Sequence, residues 1–307
     1  HDSTSPSDMK PARFDYYSPG SREEALELLG QYGDDAKILA GGQSLMPMMN
    51  MRLVRPKVVI DINRTAGLSH ISPRPDGGLT VGAMTRQREL ERSALVLETA
   101  PLLSWAIPYI GHFQIRNRGT VGGSLAHSDP AAEIPAVCLT LDTEFELASS
   151  GGERTVKAED FFFNHLTTAL EPVELLTEIR IPQTVGNWRW GFQEVCRRDG
   201  DFALVGAATM LHLDDKGICL EARITTFGAG GTPMRMDAAE EYLSGSSVNA
   251  DDRSEAARLV SDALDPISDI HASAKYRQDV AGVMVRRALE QALLPQALPF
   301  NEGEDAA

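Results

Sequence analysis

A change of hydrophobic rhythm at PQTVGN, residues 182–187, constrains this chain more than any other feature. Before it, short apolar runs alternate with helical segments. AKILA (36–40), VVIDI (58–62), LTVGAM (79–84), TEFELAS (143–149) and ELLTEIRIP (174–182) read as strands. Between them, Ser21-Arg22-Glu23-Glu24 is a capping box, opening a helix that buries Ala25, Leu28 and Leu29 and ends near Gly33. TRQRELERS (85–93) is a polar helix and PLLSWAIPYIG (101–111) an apolar one. Asp129-Pro130 supplies a cap and a first-turn proline for another. After the boundary, RWGFQEVCRR, FALVGAATMLHLD and ICLEARITTFGAG read as an antiparallel meander, followed by helices near 236–244, 252–264 and 273–293. The expectation is an α+β chain whose second part is a domain of its own.

At 307 residues the chain has room for two or three domains, and with 42% hydrophobic and 24% charged residues a packed core is expected. No apolar run reaches the roughly 18–20 residues of a membrane helix. A formal net charge of −15 lacks the basic face that nucleic acid requires and suits a soluble, cytoplasmic protein. Cys138, Cys196 and Cys219 are far apart, so the chain lacks the ligand pattern for zinc or an iron–sulfur cluster. Residues 1–8, HDSTSPSD, read as a disordered leader, and 296–307 as an acidic, solvated tail.

Two glycine turns invite chemistry. Ala40-Gly41-Gly42-Gln43-Ser44-Leu45 follows a strand directly, and Thr120-Val121-Gly122-Gly123-Ser124 has the same character. Glycine permits positive φ and close approach of a ligand, and consecutive N–H groups make an anion nest. Neither turn matches a triphosphate loop or a dinucleotide fingerprint. Each alone is also compatible with a plain tight turn. Two of them, flanked by hydroxyl and amide donors, suggest one pyrophosphate held between two lobes. Met46, Met48, Met49 and Met51 read as core filler behind the first turn.

AGGQSLMPMMNMRL, followed by IRNRGTVGGSLAHSDPAAEIP, resembles the FAD-binding medium subunit of molybdenum hydroxylases. FDYYSP, ELLTEIRIP, RRDGDFALVGAA and FGAGGTPMR extend the resemblance over essentially the whole chain. It implies a two-lobed FAD-binding part, residues 9–62 and 63–182, then a C-terminal domain, 183–295, with a three-stranded antiparallel sheet and a helical bundle. It implies non-covalent FAD with its pyrophosphate wrapped by Leu39–Leu45 and Thr120–Ser124. Ser124 stands where many relatives have Asn, and Glu133 where the family often has an aspartate near the cofactor. Leu176 and Ile110 fall at flavin neighbours, and Gln193 where xanthine dehydrogenase has a lysine. Arg197–Asp201 resembles a mobile loop near the flavin. The molybdenum cofactor and iron–sulfur clusters would sit on a large and a small partner subunit, in a dimer of heterotrimers that passes electrons to an external acceptor. The residues leave two alternatives open: a self-sufficient FAD oxidoreductase, and a scaffold binding a nucleotide for stability alone.

Overall fold

A computed structural model describes residues 10–295; the expected leader and tail lie outside them. The first lobe runs β1 (Asp15–Tyr17), α1 (Arg22–Tyr32), β2 (Ala36–Leu39), α2 (Leu45–Asn50) and β3 (Val58–Asp61). Its sheet has the order β1-β3-β2, with both pairings parallel. Helix α1 starts as expected. Ser21 Oγ accepts from the Glu24 N–H at 3.2 Å, while the Glu24 carboxylate reaches one residue further back, to the N–H of Gly20. The helix buries Ala25, Leu26 and Leu29, with Leu28 only half-buried.

The second lobe comprises β4 (Ile71–Pro73), β5 (Leu79–Gly82), α3 (Gln87–Arg92), α4 (Ala94–Thr99), α5 (Pro101–Ala106), α6 (Phe113–Arg116), α7 (Val121–His127), α8 (Glu133–Thr140), β6 (Glu144–Ser149), β7 (Gly152–Lys157), β8 (Phe162–Asn164), β9 (Thr167–Thr168) and β10 (Leu175–Ile181). Strands β4-β5-β10-β6-β7 form one antiparallel sheet. The apolar segment after residue 101 is shorter than its pattern suggests. Pro108 has no N–H to donate, and the chain tightens into a 3-10 turn at Ile107–Tyr109. Helix α8 begins at Glu133 rather than at Pro130: the Asp129 side chain accepts from Ala131 N–H at 2.9 Å, making a turn ahead of the helix.

The remainder is β11 (Trp188–Val195), β12 (Val205–Leu213), β13 (Cys219–Phe227), β14 (Met234–Arg235), α9 (Asp237–Leu243), α10 (Ala250–Ala263) and α11 (Ala274–Leu293). The expected three-stranded sheet has four strands, β11-β12-β13-β14, because two residues of the TPMR segment pair with Thr225 and Thr226. Alternation assigns the two faces of this sheet to two cores. Phe192, Ala208, Met210 and Phe227 join the core of the second lobe. Val205, Ala207, Leu211 and Ile224 pack under α9, α10 and α11. A third core lies between α1 and the parallel sheet, with Ala148 and Leu175 reaching into it from the second lobe.

Candidate functional site

A cavity of about 860 Å³ opens where the two lobes and the meander meet. Its size lies near the upper end of the roughly 300–1,000 Å³ range of small-molecule sites. The turn after β2 forms one wall. Gly42 has φ +73°, and a Cβ on Gly41 would stand 2.4 Å from the carbonyl oxygen of Arg118. The turn therefore requires glycine at both positions, once for conformation and once for space. The N–H groups of Gly41, Gly42, Gln43 and Ser44 find no acceptor among the described residues. All four residues line the cavity. Consecutive N–H groups left free at a lined cavity make an anion nest.

The second turn is built differently. Thr120 caps α7, its hydroxyl accepting from Gly123 N–H at 3.1 Å. Val121 N–H donates to Thr85 and Gly122 N–H to Ala83 at 2.8 Å. These amides are already engaged, so the second turn offers the hydroxyls of Thr120 and Ser124 and its open Gly122–Gly123 surface. The two turns abut: a Cβ on Gly123 would lie 3.6 Å from that of Ala40. Arg86 ties them together. It donates to the Arg118 carbonyl and, at 2.6 Å, to Asn63 Oδ1, while Asn63 donates at 2.8 Å to the carbonyl of Ala40.

Of the residues expected at the site, Ala40–Leu45, Ile110, Thr120, Gly122, Gly123, Ser124, Glu133 and Leu176 line this one cavity. Leu39, Val121 and Gln193 do not line it. Leu39 packs behind Gly42, and Val121 is in the core at 1% exposure. Gln193 faces the opposite side of the meander and donates to Gln291 Oε1 at 3.2 Å. The methionines divide. Met49 is core, Met48 lines the cavity, and Met51 is exposed.

Other lining residues had no motif to announce them. Leu29, Ala36, Met48, Val54 and Ile62 make an apolar recess in the first lobe, with Lys37 beside it. Leu166, the short strand β9 and Leu170–Glu171 after it line another wall. Gly200, Asp201 and Phe202 close from the β11–β12 loop, which holds part of the RRDGD stretch. Glu133 is 6% exposed, and burial pushes its carboxyl up to about 7. Burial and the charge of Glu133 push Glu194 up to about 8. His127, at the end of α7, also lines the cavity and is lowered by burial.

A cavity of this size, lined by apolar side chains of both lobes and by the amide nest of Gly41–Ser44, can take an anionic cofactor such as FAD, its pyrophosphate on the nest and its rings against apolar wall. Residues 12–184 match the family described as FAD binding domain in molybdopterin dehydrogenase, and 190–292 the CO dehydrogenase flavoprotein C-terminal domain. The chain belongs to this family, the FAD-carrying medium subunits of molybdenum hydroxylases, and is a subunit of an oxidoreductase. It is 44% identical over 97% of its length to the whole of 6-hydroxypseudooxynicotine dehydrogenase complex subunit alpha of Paenarthrobacter nicotinovorans. It is 40% identical to the caffeine dehydrogenase subunit beta of a Pseudomonas species, over 92% of this chain and 96% of that one. The carbon monoxide dehydrogenase structure of Hydrogenophaga pseudoflava superposes with a TM-score of 0.89 at 38% identity, covering 92% of this chain and 98% of that one.

Proposed function

We propose that the cavity holds FAD non-covalently, with its pyrophosphate against the amides of Gly41–Ser44 and the hydroxyls of Thr120 and Ser124. The four free N–H groups on a turn only glycine can make carry this reading. Leu39 and Val121 support the turns from behind. Ile110, Glu133 and Leu176 stand around the flavin end, and Gln193 acts only through the sheet it stiffens. FAD bound here links one-electron clusters to an acceptor, and the chain's own work is to hold it, exclude water and set its surroundings. The lobes are taken as residues 9–62 and 63–182, and the C-terminal domain as 183–295.

The chain works in a complex with a large subunit bearing the molybdenum cofactor and a small two-iron two-sulfur subunit, as a dimer of heterotrimers in the cytoplasm, with an external electron acceptor. Relatives named for nicotine-derived, purine and carbon monoxide substrates support a substrate chosen on another subunit. Among the described residues, no group of three or more metal-ligating side chains is placed to hold a metal, and no helix is long and apolar enough to cross a membrane.

The test is reconstitution of the purified chain with FAD. A flavin spectrum that survives gel filtration is the expected result, and a colourless protein would sink the cofactor reading. Co-purification with a large and a small subunit tests the assembly. A solitary chain active on a small substrate would instead favour a self-sufficient oxidoreductase.

A further inference from the structure

Two carboxyl groups, Glu133 in the cavity lining and Glu194 within reach of its charge, have no role in gripping a pyrophosphate. Glu133 is the first residue of α8, lines the cavity and is 6% exposed. No hydrogen bond from another described residue reaches its carboxyl, which meets only its own backbone N–H. Glu194 lies on β11. Trp190 and Phe192 of that strand pack into the core of the second lobe, whereas Gln193 turns to α11. Alternation sends Glu194 to the side of Phe192, toward the core of the second lobe and away from α11. Its Oε2 is buried and has no hydrogen-bond partner among the described residues.

Among the described residues no cation acts on either carboxyl. Asp129, on the turn before α8, acts on Glu133, and the charge of Glu133 acts in turn on Glu194. The titratable groups around Glu194 are Glu133, Tyr109 and Cys196, and Glu194 raises both Tyr109 and Cys196 in addition to their burial. His127, the remaining titratable group on α7, is pushed down by burial, which favours its neutral form. A buried carboxylate without a partner is costly and takes a proton instead. Two buried carboxyls, one feeling the charge of the other, do not both ionise readily near neutral pH, and their titration belongs to the pair.

We propose that Glu133, in the cavity wall, and Glu194, buried next to it, form a proton store, which takes up a proton from solvent when negative charge is added to the group bound in the cavity. The balance is simple: one proton leaves solvent, one O–H bond forms on a carboxylate, and no bond to the bound group is made or broken. Electrons arrive and leave through the partners and the acceptor. The pair thereby offsets the charge that reduction would otherwise concentrate in an apolar cleft. The coupling to reduction rests on the FAD reading; the existence of the coupled pair does not.

The first measurement therefore uses the full chain without ligand, labelled with ¹³C at the glutamate carboxyls. Two carboxyls are expected to titrate above about pH 6, well above ordinary glutamate. Glu133→Gln should remove one and lower the midpoint of the other, and Glu194→Gln should do the reverse. Titration of every glutamate below that pH in the unaltered chain, or a surviving midpoint that does not move, overturns the proposal. The second measurement is the pH dependence of the flavin midpoint potential in the FAD-loaded chain. Glu194→Gln should reduce the protons taken up per two electrons between about pH 6 and 9, with Glu194→Asp restoring part of the uptake. Identical pH slopes in all three proteins would overturn the coupling. A chain that binds no flavin at all would instead refute the cofactor reading, and the ligand-free titration would still decide the pair.

Discussion

Gly42 and Gly122 both belong to paired-glycine turns, yet each is required for a different reason. Gly42 holds φ +73° beside a line of free amides, and its missing Cβ meets only flexible side-chain atoms of Leu39 and Met46. Valine there adds about 1–3 kcal/mol of backbone strain, relieved by a turn flip that scatters the amides. Gly42→Val is expected to lose most bound flavin while the melting temperature of the flavin-free chain barely changes. Gly122 sits in the first turn of α7, where a Cβ would stand 2.5 Å from that of Ala83 and 2.7 Å from its carbonyl oxygen. Gly122→Val should lower the melting temperature even without flavin, because backbone must move. Equal effects on both readouts in both variants would contradict this division. Both turns were legible in the sequence, since glycine pairs beside hydroxyl donors carry their own reason. The different use of their amides was not: the acceptors for Val121 and Gly122 lie 36 and 39 residues upstream, at Thr85 and Ala83. Gln193 and Glu194 teach the same lesson. Adjacent strand residues face opposite ways, and only the packing of Phe192 reveals which one turns toward the second lobe.

Among the elements, α6 shows how a segment of four residues can matter. Arg116 at its end is 8% exposed and pairs with Glu91 of α3 at 2.9 Å. Its guanidinium also donates to the carbonyls of Pro108, Ile110 and Gly111, fixing the strip that carries Ile110 to the cavity. Burial works against ionisation of Glu91, but the bonds from Arg116 and Arg88 prevail and hold its pKa below the ordinary value. A depressed acid stabilises the fold above its unfolded pKa, and that stabilisation is lost as pH falls through the folded value. Arg116→Ala leaves a buried carboxylate with half its support and should cost about 3–5 kcal/mol in denaturant unfolding. A cost below about 1 kcal/mol would show the pair to behave like an exposed one. Long elements with strong periodicity were readable in advance, α11 and the meander above all. The edge strand β7 was not: GERTVK is mostly exposed, with no apolar face to mark it.

For the whole molecule, the two raised carboxyls set the direction of pH dependence. Burial pushes the Glu133 carboxyl up to about 7, and burial with the charge of Glu133 pushes Glu194 up to about 8, both well above the roughly 4.3 of an ordinary glutamate. Between these limits the folded chain binds more protons than the unfolded one, so this contribution to stability falls as pH rises. Thermal unfolding of the ligand-free chain from about pH 5 to pH 9 should show the decline, and Glu194→Gln should flatten it. An unchanged slope in that variant would place its origin elsewhere.

The meander carries a consequence of another kind. The family boundary falls between residues 184 and 190, but the packing ignores it. Phe192, Ala208 and Phe227 complete the core that Phe145 and Ile179 begin. The Gly228 N–H bonds to the Pro130 carbonyl at 2.8 Å, and Arg277 of α11 grips the carbonyls of Leu204 and Gly228. Two stretches that read as separable modules are thus one packed object. A hybrid gene joined at residue 187, one half from this chain and one from a relative about 40% identical, would bring together surfaces shaped by different partners. Such hybrids should express poorly until residues on both sides of the seam are exchanged together, so the unit that descends intact is the seam and not the domain.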